Sequence, residues 1–151
     1  MAKSKTVQAQ VELQLRAIEL LHNAMYLPAD PNIALENFEF ALQIENRIDA
    51  PNKLVFVIVQ VGISTSQRAQ ELGKITLSCI YELANFNTVI SIEPDGKPTI
   101  PQYLTEMLNS ISISTTRGVM FATFKGTFLH SAVLPIIDPK QFITSQPITT
   151  V

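Results

Sequence analysis

The sequence predicts an α+β fold: a four-stranded antiparallel sheet covered on one face by a long helix. Three observations carry this. Several early segments alternate apolar and polar residues, the period of a half-buried strand. Leu54 to Ile63 reads L-V-F-V-I-V-Q-V-G-I, β-branched and apolar on both faces, as a central strand does. From Gln102 onward, apolar residues recur every three or four positions, the period of a helix. One domain spanning residues 1–151 is expected, with strands near 7–27, 35–46, 53–64 and 74–88 and a helix over 102–124.

In the first strand, Val7, Ala9, Val11, Leu13, Leu15 and Ala17 are apolar and every residue between them is polar. Ala, Leu, Gln and Glu favour helix locally, but the period of two decides for a strand. Ile18 to Leu27 continues the alternation less cleanly. Pro28-Ala-Asp-Pro31-Asn then forms a loop, because two prolines forbid regular helix and push their neighbours toward extended backbone. The second strand places Phe38, Phe40, Leu42 and Ile44 on one face, with Glu39, Gln43 and Glu45 between them.

Asp49-Ala-Pro51-Asn52 is the next turn. It leads into the apolar third strand, whose second face needs a helix layer or another subunit to cover it. Ser64 to Gly73 reads as a polar connector. The fourth strand sets Ile75, Leu77, Cys79, Tyr81 and Leu83 on one face, which makes Cys79 a small core residue. Glu93-Pro-Asp-Gly96-Lys-Pro98 is turn chemistry. The helix carries Leu104, Met107, Leu108, Ile111 and Thr115 on its apolar stripe, with a bend expected at Gly118. Lys125-Gly126 stops it. Thr127 to Val151 holds Pro135, Pro139 and Pro147 and is expected to be extended, with one short helical turn near Pro139 to Ile143.

Composition narrows the function. A chain of 151 residues can bury a substantial core. Apolar residues make up 46% and charged ones 16%, against roughly a quarter charged in ordinary soluble domains. That deficit predicts apolar surface facing a partner. A net charge of −2 with scattered basic residues argues against a nucleic-acid footprint. No run approaches the ~20 apolar residues of a membrane span, and Met-Ala-Lys-Ser-Lys is not followed by a signal-peptide core. The single Cys79 fits a reducing compartment, so a cytoplasmic location is expected.

The chemistry of an enzyme is hard to assemble from these residues. Five glycines are too scattered to form a phosphate loop. His22 and His130 with one cysteine fall short of a structural zinc set. Ser131, His130 and Asp138 make a triad only on paper, since no Gly-x-Ser-x-Gly elbow exists. The expectation is a chain without catalytic activity, cofactor or metal.

Asn109, Gly126-Thr127-Phe128, Pro135 and Phe142 stand at spacings that resemble SecB, the bacterial export chaperone family. Weaker similarity covers Leu35 to Phe86. Met25-Tyr-Leu27-Pro28-Ala-Asp-Pro31 resembles the family's approach to its crossover loop, Phe-x-Ala-Pro-x-x-Pro, with both leading positions changed. The likeness spans about residues 10 to 143 and is specific from residue 109 on. It implies a four-stranded antiparallel sheet with helices on one side, assembled as a dimer of dimers.

Departures are also visible. Thr116 stands where the family usually has Arg, and Arg117 comes one residue late. Pro147 interrupts the second helix early. The tail that docks on the SecA motor has no counterpart, which argues against direct SecA coupling. The chain thus resembles a divergent SecB-like protein of the kind that accompanies toxin–antitoxin pairs.

The resemblance implies a holdase that takes unfolded polypeptide clients into apolar grooves, for export or for a toxin–antitoxin partner. One groove wall would be Tyr26, Leu27, Pro28, Ile33 and Leu35. The other would be Phe128, Leu129, Leu134 and Phe142. Phe128 also reads as core, and Tyr26, Leu129 and Phe142 fit either role. The apolar face of Val7, Val11, Leu13 and Leu15 would pair protomers into a homo-oligomer, a dimer or tetramer, since an unpaired apolar edge strand invites aggregation. A non-catalytic adaptor that binds one dedicated protein partner is the alternative reading.

Overall fold

The computed structural model describes residues 10–30, 32, 35–65, 70–142 and 149–150. Four long strands form the sheet: β1 (Leu13–Met25), β2 (Glu39–Asp49), β3 (Leu54–Ser64) and β4 (Glu71–Leu83). A short helix α1 (Phe86–Val89), a small hairpin of β5 (Ser91–Ile92) and β6 (Pro98–Thr99), and the long helix α2 (Gln102–Phe124) follow. The described chain ends with a 3₁₀ turn, Pro139–Phe142, and a two-residue strand β7 (Thr149–Thr150). The strand order is β1-β4-β3-β2-β7; the four long strands pair antiparallel and β7 runs parallel to β2.

The alternation on β3 explains where the core lies. Val55, Val57, Val59, Val61 and Ile63 are fully buried, and their cross-strand partners on β4 are Tyr81, Cys79, Leu77, Ile75 and Gly73. On β2 the same face carries Phe40, Leu42, Ile44, Asn46 and Ile48. Helix α2 packs on this face, over β3 and β4. The other face of β3 carries Leu54, Phe56 and Ile58, which are only half-buried. Within the chain, the long helix covers only one face of β3.

The interrupted alternation of β1 has a geometric cause. Its register against β4 shifts between Leu15 and Ala17 and again between Leu20 and His22. Each bulge adds a residue, so the strand crosses the period without losing its face. Leu15, Ile18 and Leu20 consequently share the helix side, opposite Tyr81, Cys79 and Leu77. Asn85 extends the β1–β4 pairing: its amide donates to the Gln10 carbonyl and accepts from the Glu12 N–H. Arg16 and Glu82 form an ion pair across the two strands.

Helix α2 spans the expected residues but turns a different face inward. Leu104, Leu108, Asn109, Ser112, Ile113, Thr116, Met120 and Phe124 are buried, whereas Met107 and Ile111 are exposed. The helix stays continuous through Gly118, which is exposed and has open space where a Cβ would be. Polar residues face the sheet because the sheet itself presents polar groups. The Tyr81 hydroxyl shares a 2.7 Å hydrogen bond with Ser112 Oγ, and Asn46 Nδ2 donates to Asn109 Oδ1 at 3.4 Å. Thr116 returns its hydroxyl to the Ser112 carbonyl at 2.7 Å, an i−4 bond that satisfies it inside the helix.

The fourth strand begins earlier than the sequence suggested and stops sooner. Glu71 pairs with Ser64 and Gly73 with both Ile63 and Met25, so cross-strand ladders recruit residues that look like a connector. After Leu83 the chain enters α1, whose Phe86 and Val89 are buried.

Burial pushes the Tyr81 phenol upward, opposed by its hydrogen bond to Ser112. A group raised in the folded state supports stability below its unfolded value and loses that support as pH rises toward the folded one. Unfolding free energy should thus fall above about pH 10. Burial also raises the Cys79 thiol, adding a loss of the same sign from about pH 8.5. Tyr81→Phe is expected to flatten the upper part of this fall in denaturant titrations and leave the lower part intact. An unchanged alkaline profile would contradict the assignment.

Candidate functional site

The end of the sheet where Gly73 pairs with Met25 and Ile63 gathers the loops of interest. The first loop leaves β1 at Tyr26, whose N–H donates to the Leu72 carbonyl at 2.9 Å. Gln70 then clamps the loop backbone from both sides. Its Oε1 accepts the Ala29 N–H at 2.8 Å and its Nε2 donates to the Leu27 carbonyl at 2.9 Å. The clamp fixes the main chain while leaving the Leu27 side chain 80% exposed.

The second loop follows α2. Gly126 adopts φ +77°, the left-handed conformation that ends a helix at low cost to glycine. Thr127 staples the turn: its N–H and its hydroxyl both donate to the Phe124 carbonyl, and its Oγ1 accepts the Leu129 N–H at 3.1 Å. The Gly-Thr-Phe run thus reverses the chain and aims Leu129 back at the sheet. Leu129 packs over Gly73 so closely that a Cβ there would sit 2.6 Å from Leu129 Cδ1. Further on, Arg117 of α2 donates from Nε to the Leu134 carbonyl at 2.7 Å and from Nη2 to the Pro135 carbonyl at 2.8 Å. Beyond this clamp Ile136 is 97% exposed.

No family model matches the chain, and no curated protein matches it. Solved structures do. The SecB-like chaperone Rv1957 of Mycobacterium tuberculosis, solved in complex with a ChAD peptide from the Rv1956 HigA1 antitoxin, is 14% identical. That match covers 83% of this chain and 90% of the other, with a TM-score of 0.52. The fold is SecB-like. A protein of unknown function from Streptococcus agalactiae is 15% identical over 78% of this chain and 90% of its own, with a TM-score of 0.33.

On this SecB-like frame the residues of the two expected walls separate. Tyr26 and Leu27 are exposed, Pro28 is half-buried, and Leu35 and Phe128 are half-buried against the core. Leu129 and Leu134 are buried at 0% and 1% and belong to the core in this conformation. Ile33 lies outside the described residues, as does the Phe142 side chain. Val133 and Ile136 are exposed beside the Arg117 clamp, although no periodic pattern marks them. Val11, just before β1, and Leu13 are half-buried and Leu15 is exposed, while Val7 lies outside the described residues. Among the described residues no three His, Cys, Asp or Glu side chains converge.

Gln70 and Arg117 carry no signal in sequence, because each acts through carbonyls and N–H groups brought to it by folding. Leu129→Ala is expected to lower stability by about 2–5 kcal/mol in chemical denaturation, the cost of a buried leucine. Leu27→Ala should change it by less than about 0.5 kcal/mol. Equal losses would put Leu27 in the core and remove it from the surface.

Proposed function

We propose that this SecB-like chain is a holdase that captures non-native polypeptide segments on apolar residues presented by its two clamped loops. One observation carries the reading. Gln70 and Arg117 fix the loop backbones while Leu27 and Ile136 stand almost fully exposed. Large apolar side chains on a backbone that is already fixed bind at a lower ordering cost than the same side chains on a free loop. Apolar burial is non-directional and so tolerates varied clients. Tyr26 and Val133 extend the surface, and Phe128, Leu129 and Leu134 support it from below.

Self-association belongs to the same proposal. Leu15, Ile18 and Leu20 on β1 lie beyond the cover of α2 and are exposed. The outward face of α2 carries Met107, Ser110, Ile111, Ser114, Gly118 and Phe121 without one charged residue. Such a face on a small chain is the signature of a protein partner, and a homo-oligomer would bury it and repeat the binding surface for avidity. The chain works without cofactor or catalysis in this reading, and its lone buried Cys79 fits the reducing cytoplasm. No helix is long and apolar enough to cross a membrane. A second reading, an adaptor for one dedicated partner, draws on the similar chaperone having been solved with a peptide from one antitoxin.

Reduced, carboxymethylated α-lactalbumin, which stays unfolded, is expected to bind, and the native form is not. Leu27→Asp with Ile136→Asp should weaken that binding at least about ten-fold, the loss of roughly 1.4 kcal/mol or more, with the melting temperature unchanged. Binding of neither form would reject the holdase and leave the adaptor. In light scattering the mass should be a multiple of 16.7 kDa, and Ile18→Asp with Ile111→Asp should return it to one protomer.

A further inference from the structure

The outer edge of β2 carries an occupant of its own. Thr149 and Thr150 pair with Arg47 and Ile48 in parallel register, the one parallel pairing in the sheet. Among the described residues no other strand pairs with that edge, and Phe40 to Asn46 continue it beyond the occupied end. The segment that supplies the occupant, Pro147-Ile148-Thr149-Thr150-Val151, is uncharged and β-branched, the composition of an added strand. We infer that the β2 edge is a seat for an extended polypeptide running parallel to β2, and that Thr149–Thr150 holds this seat until a longer client segment displaces it.

Physical terms favour exchange. A peptide that adds a strand to a sheet edge gains main-chain hydrogen bonds in proportion to the length it pairs. Two residues are fewer than ordinary strands use, and parallel pairing is slightly weaker per residue than antiparallel. The occupant therefore belongs to the parts of a fold that open first. A client lying along Phe40 to Ile48 makes more ladder bonds than the two residues it replaces. The seat also starts at the correct place. Phe40 pairs with Ile63, whose other partner is Gly73, so the edge begins at the sheet end where Leu129 packs and the Tyr26 loop leaves β1. It runs from there to the occupied end at Arg47–Ile48. A segment that reaches the Leu27 loop at this sheet end continues as a strand along β2.

The inference rests on the holdase reading and has its own failure. Arg47 and Thr149 are opposed across the ladder, a strand spacing within the Cα range of a disulfide. Arg47→Cys with Thr149→Cys is expected to cross-link in air, locking the occupant; Cys79 is buried and stays out of the exchange. Binding of reduced, carboxymethylated α-lactalbumin is then compared for the oxidised pair, the same protein after reduction, and a chain lacking Thr149–Val151. An occupant seated nine-tenths of the time lowers apparent affinity about ten-fold. The shortened chain should therefore bind about three- to ten-fold tighter than the natural one, and the oxidised pair weakest. Failure to cross-link overturns the seat. Cross-linking with equal affinity in all three forms overturns the displacement and leaves the holdase standing. No binding even by the shortened chain, whose edge is open, rejects both.

Discussion

A tyrosine hydroxyl buried between sheet and helix sets the orientation on which the remaining surface depends. Tyr81 stands on β4 with its ring in the core, and its oxygen must find a partner there. Ser112 supplies it, one helical turn from Asn109, which meets Asn46 of β2. These two contacts fix α2 both along and around its axis. With Asn109, Ser112 and Thr116 turned inward, Met107, Ile111 and Phe121 have no place left except outside. The apolar outer face of the helix is thus a consequence of the polar inner one. Asn109 keeps one amide nitrogen without a partner among the described residues, the cost at which this register is held.

The same economy of small contacts shapes the loops. Each loop is bound to a framework side chain at two backbone atoms. Gln70 lies just before β4 and reaches the crossover loop; Arg117 lies on α2 and reaches the loop that follows it. Gly73 allows Leu129 to settle on the sheet between them. A surface built this way combines a fixed backbone with exposed apolar side chains.

Much of the fold was legible because it rests on local periodicity. The alternation of Phe40, Leu42 and Ile44 placed one strand face, the β-branched run from Leu54 identified the central strand, and the three-and-four spacing from Leu104 marked the helix over its observed length. Reading failed where a tertiary partner overrides the local pattern. Met107 and Ile111 matched an apolar stripe, but the inward face was decided by Tyr81. Bulges at Arg16 and Leu21 let β1 keep Ile18 and Leu20 on the helix side, which no simple period of two describes. Leu129, which fits core or groove by sequence, is buried over Gly73, and Leu134 is buried as well.

By itself the sequence determined the four long strands and the long helix, the central position of β3, the buried thiol at Cys79 and the turn at Gly126-Thr127, since each follows from dihedral preference or from apolar period along a few neighbouring residues. Only the tertiary structure decided which side of α2 meets the sheet, how Gln70 and Arg117 hold the loops, and that β7 lies beside β2. Those outcomes depend on groups far apart in the chain, and a strand pairing that sets residue 47 beside residue 149 leaves no mark on the pattern of either segment.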